Sequence, residues 1–256
     1  DFLKAGLLGG GATAVAATLT QGGVQASPVV LQPTSTPDHA GQEAPADRAA
    51  GHGHGGAGTV GVVDPARNGF DPHLILQDWD FGQVSTLPGG QTLRQYSIVA
   101  VDKEFEIAPG LVFPGWVYNG RVPGPTLRCV EGDRIRIEFF NGGSHPHTMH
   151  FHGIHAASMD GVPGVGPGMI QPGDSTVYEF DAFPFGCHLY HCHANPLKRH
   201  IHKGLYGAFI IDPDPAKYSG AERQAALSRN HQSSENKLVN EMVMVMNAFD
   251  TNFDGD

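Results

Sequence analysis

Seven residues in two short segments limit what this chain can become. The first segment is His147-Thr148-Met149-His150-Phe151-His152; the second is His191-Cys192-His193, with His200 seven residues beyond. Successive side chains of an extended strand point to opposite faces. His150 and His152 therefore share a face, His191 and His193 share a face, and Cys192 points the other way. If the two strands are neighbours, four imidazoles converge on one side and the thiol emerges on the other. There His147, out of phase with His150, and His200, just past the second strand, can join it. The pattern demands paired strands carrying two different donor sets back to back.

The donors suggest the chemistry. One thiolate with two imidazoles and a weak or absent axial ligand is the pattern of a blue-copper electron-transfer site. Structural zinc sites usually take paired cysteines at short spacing, whereas here one cysteine stands between two histidines. Imidazoles without thiolate, on the opposite face, suit copper or another metal that meets oxygen. A single strand histidine is ordinarily a surface or core residue; four at matched parity around a cysteine are not. His145, His155, His188 and His202 fall outside the pattern and read as supports of the ligands or surface residues, with His202 a competitor of His200 for the sulfur. Asp160, in Met159-Asp160-Gly161, reads as a turn carboxylate, with proton relay or orientation of a ligand imidazole as the alternative.

The flanking sequence fits such a frame. Glycine (35) and proline (19) are abundant in the 256 residues, while charged residues make up only 16%. Strand signals run over Thr92–Val101, Phe105–Ala108, Trp116–Gly120, Arg134–Phe140, Thr176–Phe180, His188–His193 and Tyr206–Ile211. Short strands split by Gly and Pro turns predict an all-β, antiparallel Greek-key sandwich over 73–215. A formal charge of −10 with no basic stripe excludes nucleic acid as partner. Residues 1–26 resemble a twin-arginine-type export signal without its arginines, too short and glycine-rich for a membrane span. This predicts an exported protein, periplasmic or extracellular. Residues 27–72 read as a flexible leader whose His52 and His54 are assigned no role. Residues 216–237 read as a linker. Leu238–Phe249 reads as a fresh strand opening a truncated second domain over 238–256, with Met242, Met244 and Met246 facing a core. Cys129 and Cys187 are free to pair in an oxidising compartment.

The spacing His147-x-x-His150-x-His152-Gly153 with His191-Cys192-His193 resembles the copper-binding motifs of multicopper oxidases, the superfamily of laccases. Trp116-Val117-Tyr118-Asn119-Gly120, Pro123-Gly124-Pro125-Thr126 and Glu131-Gly132-Asp133 resemble the cupredoxin framework of that superfamily. The resemblance spans roughly Leu93 to Asp212. It implies a cupredoxin-like fold, with His147, Cys192 and His200 as type 1 copper ligands. It also implies that His150, His152, His191 and His193 are catalytic ligands, half of the imidazole set of a type 2/type 3 trinuclear copper cluster. The nearest architecture is the two-domain homotrimer, in which a neighbouring subunit supplies the other half. The position of an axial methionine holds Leu205, which cannot ligate and would favour Cu(I). The implied activity is a laccase-like oxidation of a small reducing substrate (a phenol, an aromatic amine or a metal ion) coupled to reduction of dioxygen to water. Copper nitrite reductases are the enzyme alternative, although they place an aspartate where His150 stands and lack a counterpart of His193. A blue-copper electron carrier is the non-enzymatic alternative, and it leaves the four clustered imidazoles unexplained.

Overall fold

The computed structural model describes residues 61–237 and 240–252. The signal-like segment 1–26 and the leader histidines His52 and His54 lie outside the described residues. A short helix, α1 (Pro65–Asn68), comes first. The strands follow: β1 (Trp79–Asp80), β2 (Gln83–Thr86), β3 (Thr92–Ala108), β4 (Leu111–Tyr118), β5 (Thr126–Val130), β6 (Arg134–Asn141), β7 (His150–Phe151), β8 (Ser175–Asp181), β9 (Gly186–His191) and β10 (Tyr206–Asp212). Helix α2 (Leu197–His202) lies between β9 and β10, and α3 (Gly220–Arg229) follows β10.

The strands form two sheets. One runs β1-β5-β10-β9-β7; the other runs β2-β3-β6-β8, with β4 paired to β3. Pairing is antiparallel except for β1 with β5, β5 with β10 and β3 with β6. Alternation along β6 shows why the sheets stack. Ile135, Ile137 and Phe139 point inward and are buried, while Arg134, Arg136 and Glu138 point out. On the outer face Arg134 and Arg136 both bond Glu179 of β8. The inward residues join Ile98, Leu127, Phe151, Tyr178, Tyr190 and Phe209 in one core between the sheets. The Asn119-Gly120 turn after β4 has positive φ at both central residues, 50° and 70°, which asparagine and glycine tolerate best.

Several expectations change. Thr92–Val101 and Phe105–Ala108 are one strand, because β4 ladders across the polar stretch and pairs Asp102 with Trp116 and Lys103 with Gly115. The leader gives way before residue 72, since Asn68 is buried and exchanges bonds with the Glu106 backbone. The strand expected over Leu238–Phe249 is absent from residues 240–249, which find no ladder partner among the described residues. That segment lies against the domain through Val243 N–H donating to Leu76 O, and Phe249 packs on Phe105 and Phe113. Period two persists there with its phase reversed. Val243 and Val245 are half-buried, whereas Met242, Met244 and Met246 are exposed rather than core-facing. Cys129 and Cys187 are not bonded to each other. They flank β10 on its two neighbouring strands, opposite Ile211 and Ile210. That places them roughly 9–10 Å apart, beyond the reach of a disulfide.

Candidate metal centres

The pairing of β7 with β9 sets His150 opposite His191 and Phe151 opposite Tyr190. Phe151 and Tyr190 go into the core, so the histidines take the outer face. Just beyond β9, Cys192 N–H donates to Leu205 O at 3.0 Å, which keeps the strand straight while its side chain turns inward. His147 is pinned by reciprocal backbone bonds with Ile170, both 3.0 Å. Helix α2, which strand patterning did not foresee, folds the chain back and delivers His200 to the sulfur.

On the inner side, Cys192 Sγ lies 3.3 Å from His200 Nδ1 and 3.9 Å from His147 Nδ1, and the two nitrogens are 3.1 Å apart. All three residues are buried. Metal bonds of about 2.0 Å to nitrogen and about 2.3 Å to sulfur place tetrahedral or trigonal donors roughly 3.3–3.7 Å from one another. The observed spacing is close to that, so the set fits a single ion. Burial lowers the His147 pKa to about 3 and that of His200 to about 4, keeping both imidazoles neutral with lone pairs available. Burial also raises the Cys192 thiol to about 11, so a thiolate there needs a cation beside it. Thr148 N–H donates to the sulfur at 3.3 Å. Leu205, the residue for which the resemblance implies an axial position, is fully buried and offers no donor.

On the outer side the four imidazoles form one cluster. Ring centroids lie 5.0 Å apart for His150 and His152, 5.3 Å for His150 and His191, and 5.1 Å for His150 and His193. His191 and His193 stack at 5.6 Å. His152 Nε2 is 2.8 Å from His191 Nε2. The ligand atoms of His150, His152 and His191 converge within 4.8 Å, whereas His193 joins them by ring contact, its Nδ1 buried without a hydrogen-bond partner. His191 Nδ1 faces Cys192 O at 2.8 Å, an acceptor only, so it carries the proton and Nε2 is left free. Burial lowers the His191 pKa to about 4, and burial followed by neighbouring His150 lowers that of His152. A free lone pair facing a second, poorly basic imidazole is a site that a metal ion fits.

Three further residues stand at the two sites without belonging to the parity pattern. Asp160, read first as a turn carboxylate with orientation of a ligand imidazole as the alternative, takes the second part: its Oδ1 lies 2.8 Å from His150 Nδ1, and its own carbonyl is 2.9 Å away. Both are acceptors, so Nδ1 is the ring nitrogen that donates. His155 Nε2 reaches the same carboxylate at 3.4 Å. The short 3-10 turn Ala157–Met159 brings Asp160 back, and Gly161 makes the approach possible. At φ 68°, a Cβ there would stand 2.1 Å from Met149 O. Trp116 is the third: its ring lies 4.8 Å from that of His200 and 5.3 Å from that of His147. His202 turns away to Phe113 and Asp250, and His188 bonds Pro184 O. His145 packs on Trp116.

A multicopper oxidase family profile matches residues 102–216. The chain is 64% identical to a crystal structure of a multicopper oxidase, with a TM-score of 0.58, covering 59% of this chain and 53% of that one. It is 41% identical over 104 residues to copper resistance protein A of Escherichia coli, covering 39% of this chain and 17% of that protein. It is 34% identical over 115 residues to a copper-containing nitrite reductase of Neisseria meningitidis, covering 44% of this chain and 29% of that protein. The chain thus spans less than a third of these two curated relatives. The sandwich is cupredoxin-like, as the resemblance implied. Among the described residues no helix is long and apolar enough to cross a membrane.

Proposed function

We propose that this chain, whose residues 102–216 belong to the multicopper oxidase superfamily, is the electron-receiving part of a laccase-like copper oxidase. In this reading His147, Cys192 and His200 hold a type 1 copper, and His150, His152, His191 and His193 hold half of a type 2/type 3 cluster. Copper, when bound, supplies one-electron redox chemistry at the sulfur side and dioxygen reduction at the imidazole side. The observation that carries the reading is the contiguity of the two donor sets. Cys192 is bonded through the main chain to His191 and His193, and its carbonyl accepts the His191 Nδ1 proton.

The protein's own groups have definable tasks. Burial keeps His147 and His200 neutral and excludes water from Cys192. The Asp160 carboxylate holds the proton of His150 at Nδ1, which leaves Nε2 to bind and fixes the ring plane. His152, exposed, is the face of the cluster open to solvent. The reducing substrate and dioxygen are the partners in this reading, and homotrimer formation and export by the twin-arginine route belong to it as well.

The likeness to copper-containing nitrite reductases favours a second reading, reduction of nitrite. An aspartate in place of His150 belongs to that chemistry by the sequence resemblance, and here an imidazole occupies the position, so the oxidase is preferred. Adding copper to the full chain tests the proposal. An intense blue charge-transfer band with a narrow-hyperfine paramagnetic signal is expected, and both are lost in Cys192→Ser while the circular dichroism is retained. A Cys192→Ser protein that remains blue defeats the assignment.

A further inference from the structure

Trp116 separates the proposed type 1 ligands from a cleft of about 360 Å³, within the size range of small-molecule sites. The cleft holds two cations against the indole: Arg199 at 5.3 Å from a ring centroid and Lys203 at 5.7 Å. They are four residues apart at the end of α2, a like-charge spacing that costs stability. They occur on a chain of net charge −10. Arg199 makes no side-chain hydrogen bond or ion pair among the described residues, although Asp102 and Glu104 line the same cleft. Those two acids are exposed, and Asp102 already accepts from Ser144 N–H. Lys203 donates to Pro114 O at 2.8 Å, which fixes its charge in place. The half-buried Arg199 guanidinium, on the helix that carries His200, has an aromatic partner in the indole but no anionic one.

We infer that this cleft binds a small aromatic anion, a carboxylate or sulfonate, through Arg199 and Lys203. The ring would lie against the flat surfaces of Pro114, His145 and the Trp116 edge, where guanidinium and aromatic planes favour stacking. Binding as such needs no metal. The role of the anion as reductant rests on the copper reading above. A donor seated here is one indole away from both His200 and His147. Each donor molecule would give up one electron, becoming its one-electron-oxidised form, as copper(II) becomes copper(I).

The test is calorimetric binding of 4-nitrobenzenesulfonate, a redox-inert probe here, against (4-nitrobenzyl)trimethylammonium, on the copper-loaded and the metal-free full chain. At low ionic strength the sulfonate is expected to bind about tenfold or more tightly than the ammonium. The preference should shrink as the Debye length falls from about 30 Å to about 8 Å. Arg199→Glu should abolish it, and Arg199→Lys should keep most of it. Equal binding of the two probes, or a preference indifferent to Arg199→Glu, overturns the assignment. The donor role is tested by how fast the blue band is bleached by ferrocenecarboxylate and by (ferrocenylmethyl)trimethylammonium. The carboxylate should be faster, and its advantage should disappear in Arg199→Glu. A chain that discriminates the two nitroaromatics but never turns blue overturns the copper reading and the donor role, and leaves the anion cleft standing.

Discussion

His147, His191 and His200 have folded-state pKa values lowered to about 3, about 4 and about 4, in each case first by burial. In the unfolded chain such groups titrate near about 6.5. Between these limits the unfolded state binds more protons, so the stability they confer is complete above about 6.5 and is lost as the pH falls toward about 4. Urea midpoints of the metal-free chain should therefore drop steadily over that interval; a flat profile contradicts the burial argument. Leu205 is a second residue with a measurable consequence under the copper reading. Leu205→Met offers a thioether where none exists, which stabilises copper(II) relative to copper(I). The reduction potential of the blue centre is expected to fall in a redox titration, and a rise would show that position 205 is not axial.

At the scale of elements, Arg128 on β5 bonds Asp212 on β10 through two nitrogens, at 2.7 and 3.0 Å, and also reaches Glu241 at 2.9 Å. It is fully buried, so removing it leaves Asp212 buried and unpaired. Arg128→Ala should cost about 3–5 kcal/mol in chemical denaturation and should release the segment around Glu241 to hydrogen exchange. A loss below about 1 kcal/mol would mean that the clamp is not structural. The elements also show what could be read in advance. Parity along 147–152 and 191–193 is a local property, and it foretold which histidines share a face. The inward residues of β6 were legible for the same reason. Helix α2 was not, because Leu197–His202 is only six residues long and earns its place from tertiary contacts around His200. The orienting role of Asp160 ranked behind a turn role, and Trp116 read only as framework, because their places depend on a turn and on the opposite sheet, which no periodicity encodes. The methionines of 242–246 were assigned the wrong face because alternation gives a period without a phase. The phase is set by what lies beneath, here Leu76 and the ground around it.

At the scale of the molecule, one domain presents a closed site and an open one. The sulfur side is sealed, while the imidazole side reaches solvent through His152. Among the described residues the open side gathers the four proposed ligand histidines, half of what the proposed cluster needs, with His155 beside them. A copper-loaded monomer, separated by size exclusion, should accordingly turn blue yet consume no oxygen in steady state when given a reductant. Sustained oxygen uptake by the monomer would refute the sharing of the cluster. The alternation of His191, Cys192 and His193 has a last consequence, for heredity. Adding or deleting one residue within β9 would exchange sulfur and nitrogen at both faces in a single event. Neither centre could then drift while the other was preserved, so length changes in this strand should be purged even where substitutions around it are forgiven.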